Sequence, residues 1–291
     1  MESIDRSVST VLSPSVKMTD DDFRQLSRFV KENWGIKLEA NKKLMLEGRL
    51  RKRLSQLHMR SYKEYCAYLF SAEGQQQEPV QMIDLVSTNK TDFFREADHF
   101  VYLTETALPR LQAAGAVGPN KPFKIWSAGC SSGEEPYTMA MVLSDYAAQQ
   151  RGFRFTILAS DISTRVLETA MLAIYSESRI EPVPVEMRKR YLMRSKNSEN
   201  PQVRFVPEIR KLIRFERINF MELDYHPVEK FHVIFCRNVI IYFDRATQEQ
   251  LLQRFAQRLE PGGYLFLGHS EALTGMQVPL KGIAPMVYQK N

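Results

Sequence analysis

Cysteine is scarce in this chain: Cys66, Cys130 and Cys236 are the only three in 291 residues. They lie too far apart in sequence for a disulfide framework or a zinc site, so reduced thiols in a cytoplasmic protein are expected. Cys130 and Cys236 fall at the ends of strand-like runs and can still approach each other in space. The five histidines are scattered, without HExxH or comparable ligand spacing, and no metal is expected. No run of about 18 apolar residues occurs, which predicts no membrane insertion. The start, MESIDRSVSTVLSPSV, carries acidic residues and no apolar core of secretory type, so residues 1–18 read as a mobile polar tail. Further along there is no GxGxxG, no lysine closing a glycine loop as phosphate binding requires, and no NPPY-like or DPPY-like tetrapeptide for a flipped base.

What is present is ordinary globular material, 44% hydrophobic and 25% charged, in a length that suits one large or two small domains. The formal charge of +6 says little by itself. Its distribution says more: Lys42, Lys43, Arg49, Arg51, Lys52, Arg53 and Arg60 crowd one short segment, a surface suited to a negatively charged partner.

The chain has two rhythms. Residues 19–79 read as helices. Thr19 or Asp20 caps a first one in which Phe23, Leu26, Phe29 and Val30 recur at helical spacing, and Gly35 ends it. A second carries Leu44, Leu46, Leu50, Leu54 and Leu57; a third starts at Ser61 and uses Tyr65, Tyr68 and Leu69. The polar stretch 71–79, SAEGQQQEP, reads as a break. Residues 80–122 form a helical linker interrupted around 89–94 and closed by a loop at 113–122. From 123 to 291 strands alternate with helices: strands at 123–128, 153–159, 231–236 and 264–268, helices at 166–174 and 247–259, a turn at Pro261-Gly262-Gly263, and a last strand at 285–289. That order predicts an α/β domain with a largely parallel sheet. Residues 194–218, with apolar runs at 203–206 and 212–215, read as a small antiparallel β-subdomain inserted into it.

In open α/β sheets ligands sit beyond the carboxyl ends of the strands, and polar residues gather there. After the first strand comes Ser127-Ala128-Gly129-Cys130-Ser131-Ser132-Gly133, then Glu134 and Glu135. Small residues let backbone approach a ligand closely. Glu134 stands where a phosphate loop would have lysine, and a carboxylate such as Glu135 suits a cationic amine; the plainer alternative is a pair of solvated first-turn carboxylates. Asp161, just after a strand, can accept both hydroxyls of a ribose, or it can be a helix cap. Asn219 beside Phe220 suits an adenine, the amide reading an edge and the ring packing a face, unless Asn219 is only a turn residue. Arg237-Asn238 follows another strand, with Tyr242 one helical turn on. Asn89, Thr91 and Arg95 form a further group; Thr91 stands near a helix start with Arg95 on a similar face, and with Phe93 and Phe94 as anchors to the sheet the segment is either an ordinary cap with Arg95 in solvent or a lid over the cofactor with Arg95 gripping a carboxylate. Amino-acid end, ribose and adenine together describe S-adenosylmethionine.

Five segments in order, STNKTDFFRE, IWSAGCSSGEEPY, LASDIS, IFCRNVIIYFD and PGGYLFLGHSE, make the chain resemble the chemotaxis receptor methyltransferases, the CheR family, over roughly residues 19–290. The resemblance implies a Rossmann-like S-adenosylmethionine-dependent methyltransferase domain with a small antiparallel β-subdomain, preceded by an all-helical N-terminal domain. It implies transfer of methyl groups to glutamate side chains on the cytoplasmic helices of chemoreceptors, leaving S-adenosyl-L-homocysteine. By motif, Asn89, Thr91, Arg95, Ala128, Gly129, Glu135, Asp161, Asn219, Phe220, Arg237 and Asn238 are the implied cofactor contacts, although the family often has leucine where Phe220 stands. Arg95 and Tyr242 are implied to orient the substrate glutamate. The basic helix within 42–60 resembles the family's receptor-contacting surface. Some members hold a pentapeptide at the receptor's C-terminus; here the loop RSKNSENPQ lacks glycines found in some of them. The implied protein is a cytoplasmic monomer recruited to receptor arrays, with no nucleic-acid partner. Two rivals stand beside this reading: a nucleic-acid methyltransferase, suggested by the basic segment, and a non-catalytic adaptor that binds the cofactor.

Overall fold

Negative charge opens the first helix. Asp20, Asp21 and Asp22 occupy the first turn of α1 (Asp20–Trp34), where they complement the helix dipole. Thr19 is the cap: its N–H and hydroxyl donate to the Asp22 carboxylate at 2.9 and 2.7 Å, and the Asp22 N–H donates back to Thr19 Oγ1 at 3.1 Å, a reciprocal box. The computed structural model describes residues 17–196, 199, 201–222 and 229–291. Most of the expected tail, residues 1–16, lies outside them. Met18 does not belong to a tail, being buried with its N–H on the Glu47 carboxylate at 2.9 Å.

A helical unit comprises residues 17–32 together with 38–86. After a 3-10 turn (Ala40–Lys42), α2 (Lys43–Gln56) buries Leu46, Leu50 and Leu54. Leu44 is instead 79% exposed, because two residues of helix carry it to the far side from Leu46, and Leu57 lies past the helix end. Ser61 caps α3 (Tyr62–Leu69) by accepting the Glu64 N–H at 3.1 Å; Tyr65 and Leu69 are buried and Tyr68 only partly. The break expected at 71–79 is present but shorter, covering only residues 71–73 of that stretch. Helix α4 (Gly74–Val86) runs straight through Pro79. A proline inside a helix costs about 3 kcal/mol, but the preceding residue, Glu78, is fully buried and bound to Arg53 and Tyr65. That anchor outweighs local propensity.

Residues 33–37 and 87–291 form the second unit. It opens with α5 (Asp98–Tyr102), a π-turn (Leu103–Ala107) and α6 (Leu108–Ala113). Then follow β1 (Phe123–Ala128), α7 (Glu134–Gln149), β2 (Phe155–Asp161), α8 (Thr164–Leu172, capped by Ser163), β3 (Ile174–Ser176), a 3-10 turn (Glu177–Ile180), α9 (Val185–Tyr191), β4 (Leu192–Arg194), β5 (Gln202–Phe205), α10 (Pro207–Arg210) and β6 (Ile213–Arg217). The chain ends with β7 (Phe231–Cys236), a turn (Ile240–Tyr242), α11 (Arg245–Arg258), β8 (Leu259–Leu267), β9 (Leu280–Ala284) and β10 (Val287–Lys290).

The main sheet has the order β6-β2-β1-β7-β8-β10-β9. Its first five strands are parallel, and β10 runs antiparallel to both β8 and β9. Register explains why both faces are dry. The row Trp126, Ile234, Leu265 joins one core with Leu251, Leu252 and Phe255 of α11; the neighbouring row Ile125, Val233, Tyr264 joins another with α5–α7.

Three further expectations are corrected. The run at 212–215 does not belong to the small antiparallel sheet: it opens β6, the parallel edge strand of the main sheet, with Ile157 opposite Ile213. The small sheet is β3-β5-β4 and begins at Ile174. Pro261-Gly262-Gly263 is a bulge inside β8, for pairing shifts from Phe231–Leu259 to Val233–Tyr264; a side chain on Gly263 would meet the His232 carbonyl at 2.9 Å.

Candidate active site

The sheet fixes which residues meet. Chain order moves from β1 out to β2 and β6, then returns to β7 on the other side of β1. The switch point therefore lies between β1 and β7, where open α/β sheets bind ligands. Asn219, Asp161, Ala128-Gly129 and Arg237-Asn238 end or follow four neighbouring parallel strands, Asp161 being the last residue of β2 and Ala128 of β1. At about 4.8 Å per strand they span ~14 Å of one sheet edge.

The loop after β1 is folded by its backbone. Gly129 and Gly133 have φ of 89° and 98°, and Ser131 has φ 49°. A side chain on Gly129 would lie 2.4 Å from Val239 Cγ2, so glycine is required there on both counts. The N–H groups of Gly129 and Cys130 both donate to the Ser160 carbonyl at 2.8 Å. Asp161 Oδ2 accepts the Ser131 N–H at 2.8 Å and Oδ1 accepts the Ser163 N–H at 3.0 Å. Asp161 is thus 8% exposed and aligned by two backbone donors from different loops, while the cap of α8 is Ser163. The Ser131 hydroxyl donates to the Asn89 carbonyl at 3.0 Å, which brings the 89–95 segment to this loop.

The acidic pair is buried, not solvated. Glu134 is 1% exposed, accepting the Ser132 hydroxyl and the Arg179 guanidinium. Arg179 also holds the Thr91 carbonyl at 2.9 Å and Asp92 at 3.3 Å. Glu135 accepts the Ser127 hydroxyl at 2.7 Å on one oxygen and Arg237 Nε at 2.8 Å on the other. Arg237 is itself buried; Nη1 donates to the Arg95 carbonyl at 2.7 Å and lies 3.2 Å from His99 Nδ1, over the rings of Phe100 and Phe235. A chain of bonds thus runs from β1 through α7 and β7 to residue 95.

The 89–95 segment keeps the interruption expected around 89–94 but has no helix start at Thr91: φ is positive at Phe94 (54°) and Glu96 (53°), and Thr91 is buried in irregular backbone ahead of α5. Phe93 packs on Tyr175 and Phe205 of the small sheet, and the Phe94 N–H donates to Thr138 on α7 at 3.2 Å. The Asn89 amide donates to Ser87 at 3.1 Å, and the Arg95 guanidinium donates to the Lys90 carbonyl at 3.0 Å. Asn219 is held in a turn, its amide donating to the Asn33 carbonyl at 3.0 Å and its Oδ1 accepting the Met221 N–H at 3.1 Å. Phe220 sets its ring edge-on to Trp126 and Phe255. Tyr242 is half-buried, its carbonyl accepting the Lys37 N–H at 2.8 Å.

Two residues with structural weight here escaped the sequence reading. Glu271, 3% exposed, accepts backbone N–H groups from Gly268, Asn238, Val239 and Ile241. His99, 1% exposed, has its pKa lowered to about 4 by burial and then by the Arg237 charge. Glu96, His99 and His269 bring possible ligand atoms together, but the Arg237 guanidinium, 3.2 Å from His99 and 3.5 Å from Glu96, already supplies the positive charge there. The three cysteines are free and buried; burial pushes Cys66 up to about 12 and the Cys130 and Cys236 thiols well above their ordinary value. Such thiols are poor nucleophiles.

The donor set fits S-adenosylmethionine by its chemistry: carboxylates at the β1 and β2 ends, an amide after β6, and a loop whose glycines admit no side chain. Comparison with known proteins agrees. Residues 89–286 match the family described as CheR methyltransferase, SAM binding domain, and residues 21–87 the one described as CheR methyltransferase, all-alpha domain. A chemotaxis protein methyltransferase of Borreliella burgdorferi is 39% identical over 95% of this chain and 96% of its own. Chemotaxis protein methyltransferase 2 of Pseudomonas aeruginosa is 36% identical over 93% of each chain, and the Salmonella typhimurium protein 36% over 93% and 90%. With both parts of the sequence matched and relatives aligned along nearly all of it, this chain belongs to the CheR family of chemotaxis protein methyltransferases.

Proposed function

We propose that the β1/β7 switch point of this protein-glutamate methyltransferase is where methyl transfer occurs, with the residue roles given below. The protein uses S-adenosylmethionine to convert glutamate side chains of chemoreceptors to methyl esters. The observation that supports the site is the alignment of Asn219, Asp161, Gly129 and Arg237 on four adjacent strand ends.

Asp161 accepts the ribose hydroxyls. Asn219 reads an adenine edge, and Phe220 closes the apolar wall behind it. Ala128 and Gly129 let backbone approach the middle of the ligand. Glu135, oriented by Ser127 and Arg237, faces the amino end, and Asn89, Thr91 and Asn238 border it. Bound S-adenosylmethionine supplies an activated methyl group on a sulfonium. A glutamate carboxylate is already a nucleophile at neutral pH, so the protein need only align it and exclude water. Arg95 and Tyr242 do the aligning. Neither acts as a general base, and Arg95 grips either one substrate oxygen or the cofactor carboxylate. Arg237 is a support, committed to Glu135 and the Arg95 carbonyl.

The receptor-facing surface is the outer side of α2 and the turns on either side of it. Lys42, Arg51, Lys52 and Arg60 are exposed there, together with Leu44. Arg49 and Arg53 turn inward, onto the carbonyls of Leu85 and Val86 and onto Glu78. A receptor C-terminal pentapeptide has a candidate seat in a cavity of about 380 Å³ beside the small sheet, where Ile180, Leu192 and Val203 meet Arg188, Lys189 and Arg194.

The decisive experiment is transfer of labelled methyl groups to receptor-containing membranes, followed by mild base. Base-labile label on receptor glutamates is expected. Base-stable label, or label on nucleic acid, refutes the assignment, and binding of cofactor without transfer favours the adaptor.

A further inference from the structure

The loop after β7 turns sharply. Asn238 has φ 59°, in the left-handed region that asparagine enters more readily than most other non-glycine residues. The three residues after it turn back immediately, with Tyr242 N–H bonded to the Val239 carbonyl at 3.3 Å. One carboxylate from another strand end holds this turn. Glu271 Oε2 accepts the N–H groups of Asn238 at 2.8 Å and Gly268 at 2.7 Å; Oε1 accepts Val239 at 2.8 Å and Ile241 at 3.4 Å. Burial raises its pKa, and the four backbone donors pull the other way. Gly268 completes the fit, since a side chain there would come within 2.5 Å of Asn238 Nδ2.

The division of labour along the loop is informative. Arg237 has anchors of its own in Glu135 and the Arg95 carbonyl. The Glu271 bonds begin only at residue 238 and end at 241, next to Tyr242. On its other side, the Tyr242 backbone is fixed by the Lys37 N–H. We propose that Glu271 is a positioning residue for methyl transfer: by accepting the N–H groups of residues 238, 239 and 241 it sets where Tyr242 presents its hydroxyl to the substrate carboxylate. This rests on the reading of Tyr242 as a substrate-orienting residue.

Four proteins test it: the wild type, Glu271→Gln, Tyr242→Phe and the double variant. In Glu271→Gln one acceptor oxygen becomes an amide donor facing N–H groups. Expected is a fall in kcat of about tenfold or more, with a smaller loss of affinity for S-adenosylhomocysteine, within about threefold of wild type by calorimetry, because Asn238 is one cofactor-bordering residue among several and the rest lie outside the turn that loosens. The double variant should be no slower than the slower single variant by more than about twofold. Multiplying losses, or affinity falling in step with kcat, overturn the role of Glu271 while leaving Tyr242 intact. A Tyr242→Phe protein with wild-type kcat refutes the Tyr242 reading itself, and the proposal with it. Should Glu271→Gln not fold, Gly268→Ala pushes a methyl group against Asn238 while leaving the carboxylate itself unaltered, and the same pattern with Tyr242→Phe is required.

Discussion

Replacing Asp161 separates two roles that one carboxylate combines. Its oxygens take N–H bonds from Ser131 at 2.8 Å and Ser163 at 3.0 Å. Each is a bond to a charged acceptor, worth about 1.5–3 kcal/mol. Both are present before any ligand arrives, so losing them in Asp161→Ala lowers stability and loosens the loop after β1. Lost ribose bonds, by contrast, appear only in affinity. One charge-assisted bond at the same ~1.5–3 kcal/mol corresponds to a dissociation constant about 10–150-fold higher. Asp161→Asn keeps an acceptor oxygen for one backbone donor but turns an amide toward the other. It should therefore lose affinity to a similar degree with less loss of stability. The assay is calorimetric titration with S-adenosylhomocysteine, after circular dichroism has shown each variant folded. An analogue lacking both ribose hydroxyls closes the cycle. It should bind wild type weakly and lose little more on the Asp161→Ala protein. A folded Asp161→Ala protein that binds within about twofold of wild type refutes the ribose role; so does an analogue that still suffers the full mutational penalty.

Arg53→Met strands the fully buried Glu78, leaving it only the Tyr65 hydroxyl; a loss of about 3–5 kcal/mol should appear as faster hydrogen exchange across α2–α4. Reversing Arg51 and Lys52 to glutamate should slow receptor methylation while leaving S-adenosylhomocysteine affinity unchanged, and equal rates on receptor membranes would remove α2 from the receptor surface. Arg179→Ala leaves Glu134 with the Ser132 hydroxyl and releases the Thr91 carbonyl, so hydrogen exchange at 91–96 should rise and kcat fall roughly tenfold. His99 stays neutral in the native protein down to about 4, against an ordinary 6.5. Between those values the unfolded chain binds a proton that the native chain refuses. Stability should therefore fall as pH drops through that window, by at most ~1.4 kcal/mol per pH unit from this group. His99→Phe should flatten the slope in denaturant titrations.

Much of the site was legible because the sheet is regular. Strand, small-residue turn and helix at 123–137 announce one strand end, and Asp161 and Arg237 close or follow apolar runs that read as strands. What the sequence hid is what depends on distant partners. Pro79 and a polar run argue for a break through residue 79; it ends at residue 73, because Glu78, buried against Arg53, holds Pro79 inside a helix. The run at 212–215 is too short to reveal whether it pairs with β5 or with β2, and pairing alone decides its sheet. Seven basic residues in one segment look like one surface, yet helical periodicity turns Arg49 and Arg53 inward. Glu135 reads as a free first-turn carboxylate because its partner, Arg237, lies about a hundred residues away in sequence. Glu271 closes the PGGYLFLGHSE segment, but its role gives no local signal, since three of its four backbone N–H partners come from the distant 238–241 turn.

On the assignments proposed above, two hydrogen-bonded chains divide the work. One runs from the Asn89 carbonyl through Ser131 to Asp161 and Ser163 and shapes the cofactor end. The other runs from Ser127 through Glu135 and Arg237 to the Arg95 carbonyl and shapes the transfer end. Both terminate on residues 89–95, a segment whose backbone is irregular and which leans on its neighbours for position. In a reaction catalysed by alignment, a misplacement of about 1 Å can cost ~100-fold in rate. Changes confined to the first chain should then act on affinity, and changes at Glu271 and Tyr242 on kcat. Changes that shift the segment itself, through Arg179, Thr91 or Arg95, should act on both. Glu271→Gln and Asp161→Asn, measured side by side for affinity and for single-turnover transfer, should move opposite members of that pair. If each variant moves both quantities equally, the site behaves as one rigid body and the two chains are not separate devices.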